Sequence, residues 1–144
     1  MKRTLLGALA ALAFAFPAAA EGPGKLVTVV TSANAQTQLM AMVLTMQAAQ
    51  AGAETRMLLC GPGGDIALAD APESATAGQP PRDMSPQGLM RALMDKQGAT
   101  VEVCAIYLPG RGAGEEVLLD GVGVAQPPAM AAALMAEDTR VLSF

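Results

Sequence analysis

The chain has 144 residues, with thirteen acidic and nine basic side chains and a formal net charge of −4. This acidic balance argues against nucleic acid as a partner, and the aromatic content, one Tyr and no Trp, argues against stacking sites for bases or sugars. Because the chain has no histidine, a Ser-His-Asp triad, a Cys-His pair and every histidine metal site are excluded.

Residues 1–20 have the three parts of a secretory signal peptide. A basic start precedes an apolar run, and small residues fit a cleavage site just before Glu21. The run is shorter than the roughly 20 residues that a membrane-spanning helix needs, although a retained membrane anchor is the alternative. We therefore expect a periplasmic or secreted protein that has no membrane contact after signal removal and whose single α/β domain covers residues 21–144.

The segment after Glu21 begins with a strand, a helix and a second strand. Residues 25–31 are rich in β-branched side chains and predict the first strand. Ser32 or Asn34 can cap the helix that follows, which ends at Gly52. Residues 54–60 predict the second strand. A strand, helix and strand in this order predict two parallel strands with a right-handed connection.

A glycine-rich turn and a proline-rich segment follow the second strand. The turn, GPGG, contains Gly61, Gly63 and Gly64, and its N–H groups either cradle an anion or belong to a plain strand-to-helix connection. It lacks the Lys-Ser/Thr of a P-loop. Residues 70–86 show no periodicity and predict a surface loop. A loop of that length is either functional, as a lid, or an inert insertion.

The rest of the chain continues the alternation of strands and helices. The predicted elements are a helix ending near Gly98, a strand over 99–108, a helix over 115–119, a strand over 122–125, a helix over 128–136 and a strand over 140–144. Five strands alternating with helices predict a three-layer α/β fold of the flavodoxin/Rossmann-like kind. Its five-stranded, mainly parallel sheet would carry helices on both faces.

The methionines raise the question of a soft-metal site, since the chain contains ten of them. Met42 and Met46 are four residues apart on one helical face, and Met90 and Met94 repeat the spacing, which favours core packing. We predict neither a metal site nor a cofactor. Binding of Cu(I) by the cysteines and methionines is kept as a third hypothesis.

The two cysteines both lie at the ends of predicted strands, where ligands bind in parallel α/β sheets. In an oxidising compartment two cysteines ordinarily form one disulfide. However, the first strand of a doubly wound sheet commonly lies between the second and third, which would separate Cys60 and Cys104 by about 10 Å. A disulfide needs Cα atoms within about 7 Å. We therefore favour separate thiols and leave the disulfide open.

Four segments, KLVTVVTSANA, VEVCAIYLPGRG, EEVLLDGVGV and DTRVLSF, together with the order of strands and helices, resemble the DsrE/DsrF-like family of sulfur-relay proteins. The resemblance covers essentially the whole segment 21–144. It implies a persulfide on Cys104, hence a sulfurtransferase or sulfur carrier, a homo-oligomer, and a sulfur donor or acceptor protein as partner. It assigns no role to Cys60, which stays a candidate second thiol. The relay proteins of the family work in the cytoplasm, whereas this chain is predicted to be exported.

Without histidine, activation of Cys104 must come from other groups. Arg111 and the N–H groups of a helix beginning near Gly112 to Glu115 are the candidates. Glu102 would oppose ionisation if it shared the face of Cys104.

The alternative to a reactive thiol is that Cys104 is a small buried apolar side chain at a strand end. The chain would then be a non-catalytic module that binds a small ligand or assembles into oligomers. Its ligand would lie on the rim formed by Ser32, Asn34, the GPGG turn and the proline-rich loop.

Overall fold

The computed structural model describes residues 24–144, so the predicted signal peptide lies outside the described residues. Within residues 24–144, none of the helices has the length and apolar character that a membrane span requires. The elements in chain order are β1 Lys25–Val30, α1 Ala35–Gln50, β2 Glu54–Leu59, α2 Glu73–Thr76, α3 Pro86–Gln97, β3 Thr100–Val103, α4 Tyr107–Arg111, β4 Gly123–Val124, α5 Pro127–Met135 and β5 Thr139–Ser143.

The five strands form one parallel sheet in the order β4-β3-β2-β1-β5, which confirms the predicted fold class. The expected position of β1 between β2 and β3 is wrong, because β2 and β3 are neighbours. The reason lies in the helices: α1 and α3 pack on the same face of the sheet. When two successive right-handed connections lie on the same face of a sheet, each adds its strand on the same side of the preceding strand. The third strand β3 therefore lies beyond β2 and away from β1.

The hydrophobic core is divided between the two faces of the sheet. The larger cluster joins α1 and α3 to the inner residues of β1, β2 and β3, and both Met42 and Met90 are 0% exposed within it. Met46 and Met94 pack against the same cluster, which confirms that the four methionines at helical spacing belong to the core. A smaller cluster on the opposite face packs Met130 of α5 against Val27 and Ala125. Helices therefore cover both faces, as three layers require.

The cap of α1 and the end of α3 are as the sequence predicts. The Asn34 side chain accepts a hydrogen bond from the Thr37 amide (3.0 Å) and caps α1. Ser32 supports this cap, since its hydroxyl oxygen accepts from the Asn34 amide at 3.1 Å. At the other end of α3, Gly98 takes the left-handed conformation with φ of 68°, which closes the helix as predicted.

The chain after β3 folds differently from the prediction. The third strand ends at Val103 instead of continuing to residue 108, and α4 begins at Tyr107 after three intervening residues. The chain turns there because the Tyr107 amide donates to the Cys104 carbonyl at 2.9 Å. The expected helix over 115–119 is only a short 3-10 segment, Glu115–Val117. A short apolar run such as AIYL fits either a strand or a buried helix, which explains the error.

The proline-rich segment is more ordered than a structureless loop. It contains α2 and an antiparallel bridge between Gln79 and Met84. Ala75 of α2 is buried in the main core. Just beyond the segment, the buried Gln87 side chain donates to the carbonyls of Ile66 and Leu68 at 2.9 and 2.8 Å. These contacts attach the segment to the main core and to the chain that follows Cys60.

Candidate functional site

The two cysteines form a disulfide at the carboxyl edge of the sheet. Cys60 directly follows β2 and Cys104 directly follows β3, and their Cα atoms are 5.1 Å apart. This spacing follows from the register, which pairs Leu59 with Val103 and so brings the next residues side by side. The expected separation of about 10 Å is therefore wrong, for the same reason as the strand order.

The backbone holds both cysteines in place independently of the bond between them. The Cys60 amide donates to the Val30 carbonyl and the Cys104 amide to the Leu59 carbonyl, each at 2.9 Å. These bonds extend the strand ladder by one residue on each side. Both cysteines are half-buried, and Cys104 packs partly against the main core. Neither is a fully buried apolar residue.

The carboxylate of Glu102, two residues before Cys104, has a partner on the neighbouring strand. Arg56 Nε donates to Glu102 Oε2 at 2.6 Å, and the two side chains form a salt bridge. This hydrogen bond with Glu102 is the main reason why the pKa of Arg56 is raised. The negative charge nearest to Cys104 along the strand is thus compensated.

The three glycines of the GPGG turn each have a local structural reason. Gly61 has a φ of 51°, in the left-handed region that disfavours other residues. A Cβ on Gly63 would collide with the Val30 carbonyl, and a Cβ on Gly64 would collide with the ring of Tyr107. The turn continues as a 3-10 helix, Gly61–Ala67, so its geometry is that of a strand-to-helix connection.

A pocket of about 370 Å³ opens beside the disulfide. Its walls are the two segments that lead away from Cys60 and Cys104. They comprise Gly61, Pro62, Asp65, Ile106, Tyr107, Gly110 and Arg111. Ile106, only two residues after Cys104, is 81% exposed. Gly61 directly follows Cys60 in the chain and Ile106 is two residues after Cys104, so the pocket lies close to both cysteines, although neither cysteine lines it.

A polar cluster lies on one wall of the pocket. Asp65 Oδ1 accepts two hydrogen bonds, from the Tyr107 hydroxyl at 2.7 Å and from Arg111 Nη1 at 2.9 Å. The Arg111 guanidinium carbon also lies 5.5 Å from the centre of the Tyr107 ring. Burial, and then the bond to Asp65, raise the pKa of Tyr107, so its phenol stays protonated.

The structure brings together only part of the predicted site. Cys60 and Cys104 meet in the disulfide, and Gly61 and Arg111 line the neighbouring pocket, whereas Ser32 and Asn34 cap α1 and do not line it. Arg111 is paired with Asp65, and the helix expected to begin near Gly112 does not exist as such. Among residues 24–144, the structure contains no group of three or more His, Cys, Asp or Glu side chains that could hold a metal ion.

Asp65, Tyr107 and Ile106 line the pocket but were not predicted as site residues. Asp65 and Tyr107 are 42 positions apart in the chain, and no local pattern links them. The available signals were that Tyr107 is the single tyrosine of the chain and that Asp65 is the first charged residue after the glycine-rich turn.

No family model and no curated protein matches the chain. Solved structures do match it. The YchN protein from E. coli superposes with a TM-score of 0.62 at 22% identity, over 84% of this chain and 99% of that one. MTH1491, a protein of unknown function from Methanobacterium thermoautotrophicum, superposes with a TM-score of 0.61 at 14% identity, also over 84% and 99%. At such identities the likeness establishes a shared DsrE/YchN-like fold.

Proposed function

We propose that this chain is an exported protein of DsrE-like fold that handles sulfur or thiols through Cys104, with Cys60 as the partner thiol. The observation that carries the proposal is the pairing of two half-buried cysteines at adjacent strand ends, beside an open pocket. Because the strand ladder already positions both residues, the pair can change between disulfide and dithiol while the sheet keeps its register.

In the reduced form, the Cys104 thiolate attacks the outer sulfur of a persulfide, R–S–SH. The sulfur–sulfur bond of the donor breaks, R–S⁻ leaves, and Cys104 becomes the persulfide. An acceptor thiolate can then take this sulfur and return Cys104 to the thiolate. If Cys60 reacts first, its thiolate attacks Cys104 Sγ, hydrosulfide leaves, and the Cys60–Cys104 disulfide forms. That step oxidises the two cysteines by two electrons, and an external dithiol must reduce them before the next cycle.

The proposal is tested by loading the reduced protein with a low-molecular-weight persulfide and then blocking all thiols with an alkylating agent. Mass spectrometry of the peptides should find one added sulfur atom on Cys104 in the wild type. Cys104→Ser should lose this loading. Cys60→Ser should keep the persulfide and release less sulfide, since the second thiolate is missing. The oxidised wild type, in which both cysteines are blocked, is the matched control.

Two outcomes would contradict this assignment. Equal loading of Cys60→Ser and Cys104→Ser would show that Cys104 is not the carrier. Undiminished sulfide release from Cys60→Ser would show that Cys60 does not resolve the persulfide. Either result would be interpreted only after circular dichroism has confirmed that the variant is folded.

Export is part of the proposal and is supported by the signal-like pattern of residues 1–20 and by the disulfide, which is typical of oxidising compartments. N-terminal sequencing of the protein from the periplasm or medium should begin at or near Glu21. A sequence that begins at Met1 would contradict export with cleavage.

Assembly into a homo-oligomer is likewise proposed. On the face of the sheet that α5 covers, Val141 and Met135 are exposed to solvent, which leaves apolar surface available for a second copy. Light scattering should give a mass above that of one chain at micromolar concentration. A monomer over that whole range would contradict the proposal.

A second candidate function is the binding of a small apolar ligand. A groove of about 600 Å³ lies between α1 and the proline-rich segment, with Leu39, Met40, Val43 and Met84 in its walls. The groove includes the proline-rich loop of the non-catalytic alternative but not Ser32, Asn34 or the GPGG turn, so its ligand would lie in a different place from the predicted rim. Met40→Glu should then reduce the binding of an apolar fluorescent probe while sulfur loading on Cys104 stays unchanged. Binding that is unaffected by Met40→Glu would argue against this function.

A further inference from the structure

Two charged side chains of the pocket, Asp65 and Arg111, have hydrogen-bonding groups that make no bond with residues 24–144. Asp65 accepts both of its hydrogen bonds on Oδ1, and Arg111 donates only through Nη1. Within residues 24–144, Asp65 Oδ2 and the remaining N–H groups of Arg111 have no protein partner. The two side chains are 31% and 45% exposed, so these groups are accessible from the pocket that both residues line.

The pair has opposite charges whose bonded atoms are 2.9 Å apart. An α-amino acid head group carries an ammonium and a carboxylate on a single carbon. Its carboxylate can therefore bind Arg111 while its ammonium binds Asp65. The pair has no net charge, and the chain has a formal charge of −4. Simple sulfur oxyanions consequently gain little from this pocket.

The rest of the pocket fits the sulfur-bearing arm of such a molecule. Pro62 and the exposed Ile106, which are the second residues after Cys60 and Cys104, add apolar surface to the pocket that the charged pair lines. The volume of about 370 Å³ accommodates a compound of a few carbon and sulfur atoms.

We infer that this pocket selects low-molecular-weight disulfides and persulfides that carry an α-amino acid head group, with Arg111 binding the carboxylate and Asp65 the ammonium. The inference rests on the proposed function, because it names the substrate class of the same cysteine pair. Free cystine and the γ-glutamyl end of glutathione disulfide both present this head group, so the two sources are compared directly in the test.

The reaction with a disulfide of this class needs no further reactant. The Cys104 thiolate attacks one sulfur of R–S–S–R, expels one R–S⁻ and forms a mixed disulfide. The Cys60 thiolate then attacks Cys104 Sγ and expels the second R–S⁻, which leaves the Cys60–Cys104 disulfide. Two electrons pass from the protein dithiol to the substrate, and the two protein protons end on the two released thiols.

The test measures how fast the reduced protein is oxidised by five disulfides: cystine, glutathione disulfide, cystamine, dithiodipropionate and hydroxyethyl disulfide. Cystamine lacks the carboxylate, dithiodipropionate lacks the ammonium, and hydroxyethyl disulfide lacks both. Each rate is divided by the rate of the same probe with dithiothreitol, which removes differences in leaving-group reactivity. We expect cystine to exceed hydroxyethyl disulfide by about tenfold or more, the effect of one charge-assisted hydrogen bond. If glutathione disulfide matches cystine, the γ-glutamyl end is also accepted.

Arg111→Gln and Asp65→Asn should each remove most of this preference and raise the cystine concentration at half-saturation. Asn at position 65 keeps an oxygen that can accept from the Tyr107 hydroxyl, so the wall of the pocket is preserved. Arg82→Gln is the control, since Arg82 lines the groove beside α1 and not this pocket. It should leave the preference unchanged.

Equal normalised rates for all five probes would overturn the inference and leave the reactive cysteine pair intact. The same holds if Arg111→Gln slows every probe by the same factor. Failure of the reduced protein to react with any probe would overturn both the inference and the proposed function.

Discussion

Opening the Cys60–Cys104 bond should lower the free energy of unfolding by about 4 kcal/mol, and the reduced protein should remain folded. The bond closes a loop between residues 44 positions apart. In the loop-closure model, a crosslink stabilises by removing conformations from the unfolded chain, and the effect grows from about 3 kcal/mol for a 15-residue loop to about 4.7 kcal/mol for 100 residues. A span of 44 lies between these limits.

The native structure explains why the disulfide stabilises the protein mainly by restricting the unfolded chain. The amides of Cys60 and Cys104 bond to the Val30 and Leu59 carbonyls, and the flanking register of β2 with β3 does not pass through the sulfur atoms. Reduction therefore removes no strand pairing. A typical domain has about 5–15 kcal/mol of stability, so a loss of this size leaves a folded dithiol form, as the proposed function requires.

Urea unfolding followed by circular dichroism measures the difference. The midpoint of the oxidised protein should exceed that of the reduced protein by about 2 M, for an m-value of about 2 kcal/mol/M. Cys60→Ser and Cys104→Ser should both unfold near the reduced wild type, with thiol titration to verify each redox state. Superimposable curves for the oxidised and reduced forms would refute the loop-closure reasoning. Unfolding of the reduced form without urea would refute the claim that the ladder alone holds the site.

Other predictions concern single side chains. Gly64→Ala should lower the free energy of unfolding, measured in urea, by about 1–3 kcal/mol, because the added Cβ would overlap the Tyr107 ring. Gly110→Ala is the control and should leave this free energy unchanged, because a Cβ at Gly110 has no atom within 4 Å. Burial raises the pKa of Tyr107 in the folded protein. The contribution of the protonated Tyr107 side chain to the free energy of unfolding is therefore complete below the ordinary pKa of about 10 and is lost as the pH rises through the pKa of the folded state. Phenolate absorbance of the folded protein that titrates at the ordinary value would contradict this. Thr45→Val should lower the free energy of unfolding by about 1–3 kcal/mol, because it leaves the buried Thr28 hydroxyl without its hydrogen-bond partner. The double variant Thr28→Val/Thr45→Val should recover part of that loss.

Much of the fold was predictable because strands and helices carry strong local signals. The cap at Asn34, the left-handed Gly98 and the alternation of strands with helices all appear in short stretches of sequence. Strand order depends instead on which face each helix covers. Arg56 and Glu102 alternate with buried residues in β2 and β3, and this marks one face of both strands as polar. That pattern was the available evidence that α1 and α3 share the other face.

Within the candidate site, only the placement of the two cysteines could be predicted from the sequence. Placement of Cys60 and Cys104 at strand ends followed from the alternation of elements, but their direct contact depends on the strand order. The bond from Tyr107 to Asp65 depends on α4, which the apolar run after Cys104 concealed. Tertiary packing, and not a local motif, assembles that part of the pocket.

The strand order also determines when the sheet can be completed during synthesis. The strand at the amino-terminal end, β1, pairs on one side with β2 and on the other with β5, and Lys25 lies opposite Thr139. A chain that emerges from a ribosome or a translocation channel therefore presents β1 with one open edge until the last strand arrives. Parallel pairing over so long a span is slow, and an open strand edge is a site for association with other chains. The sheet is thus completed only when the last strand has been synthesised.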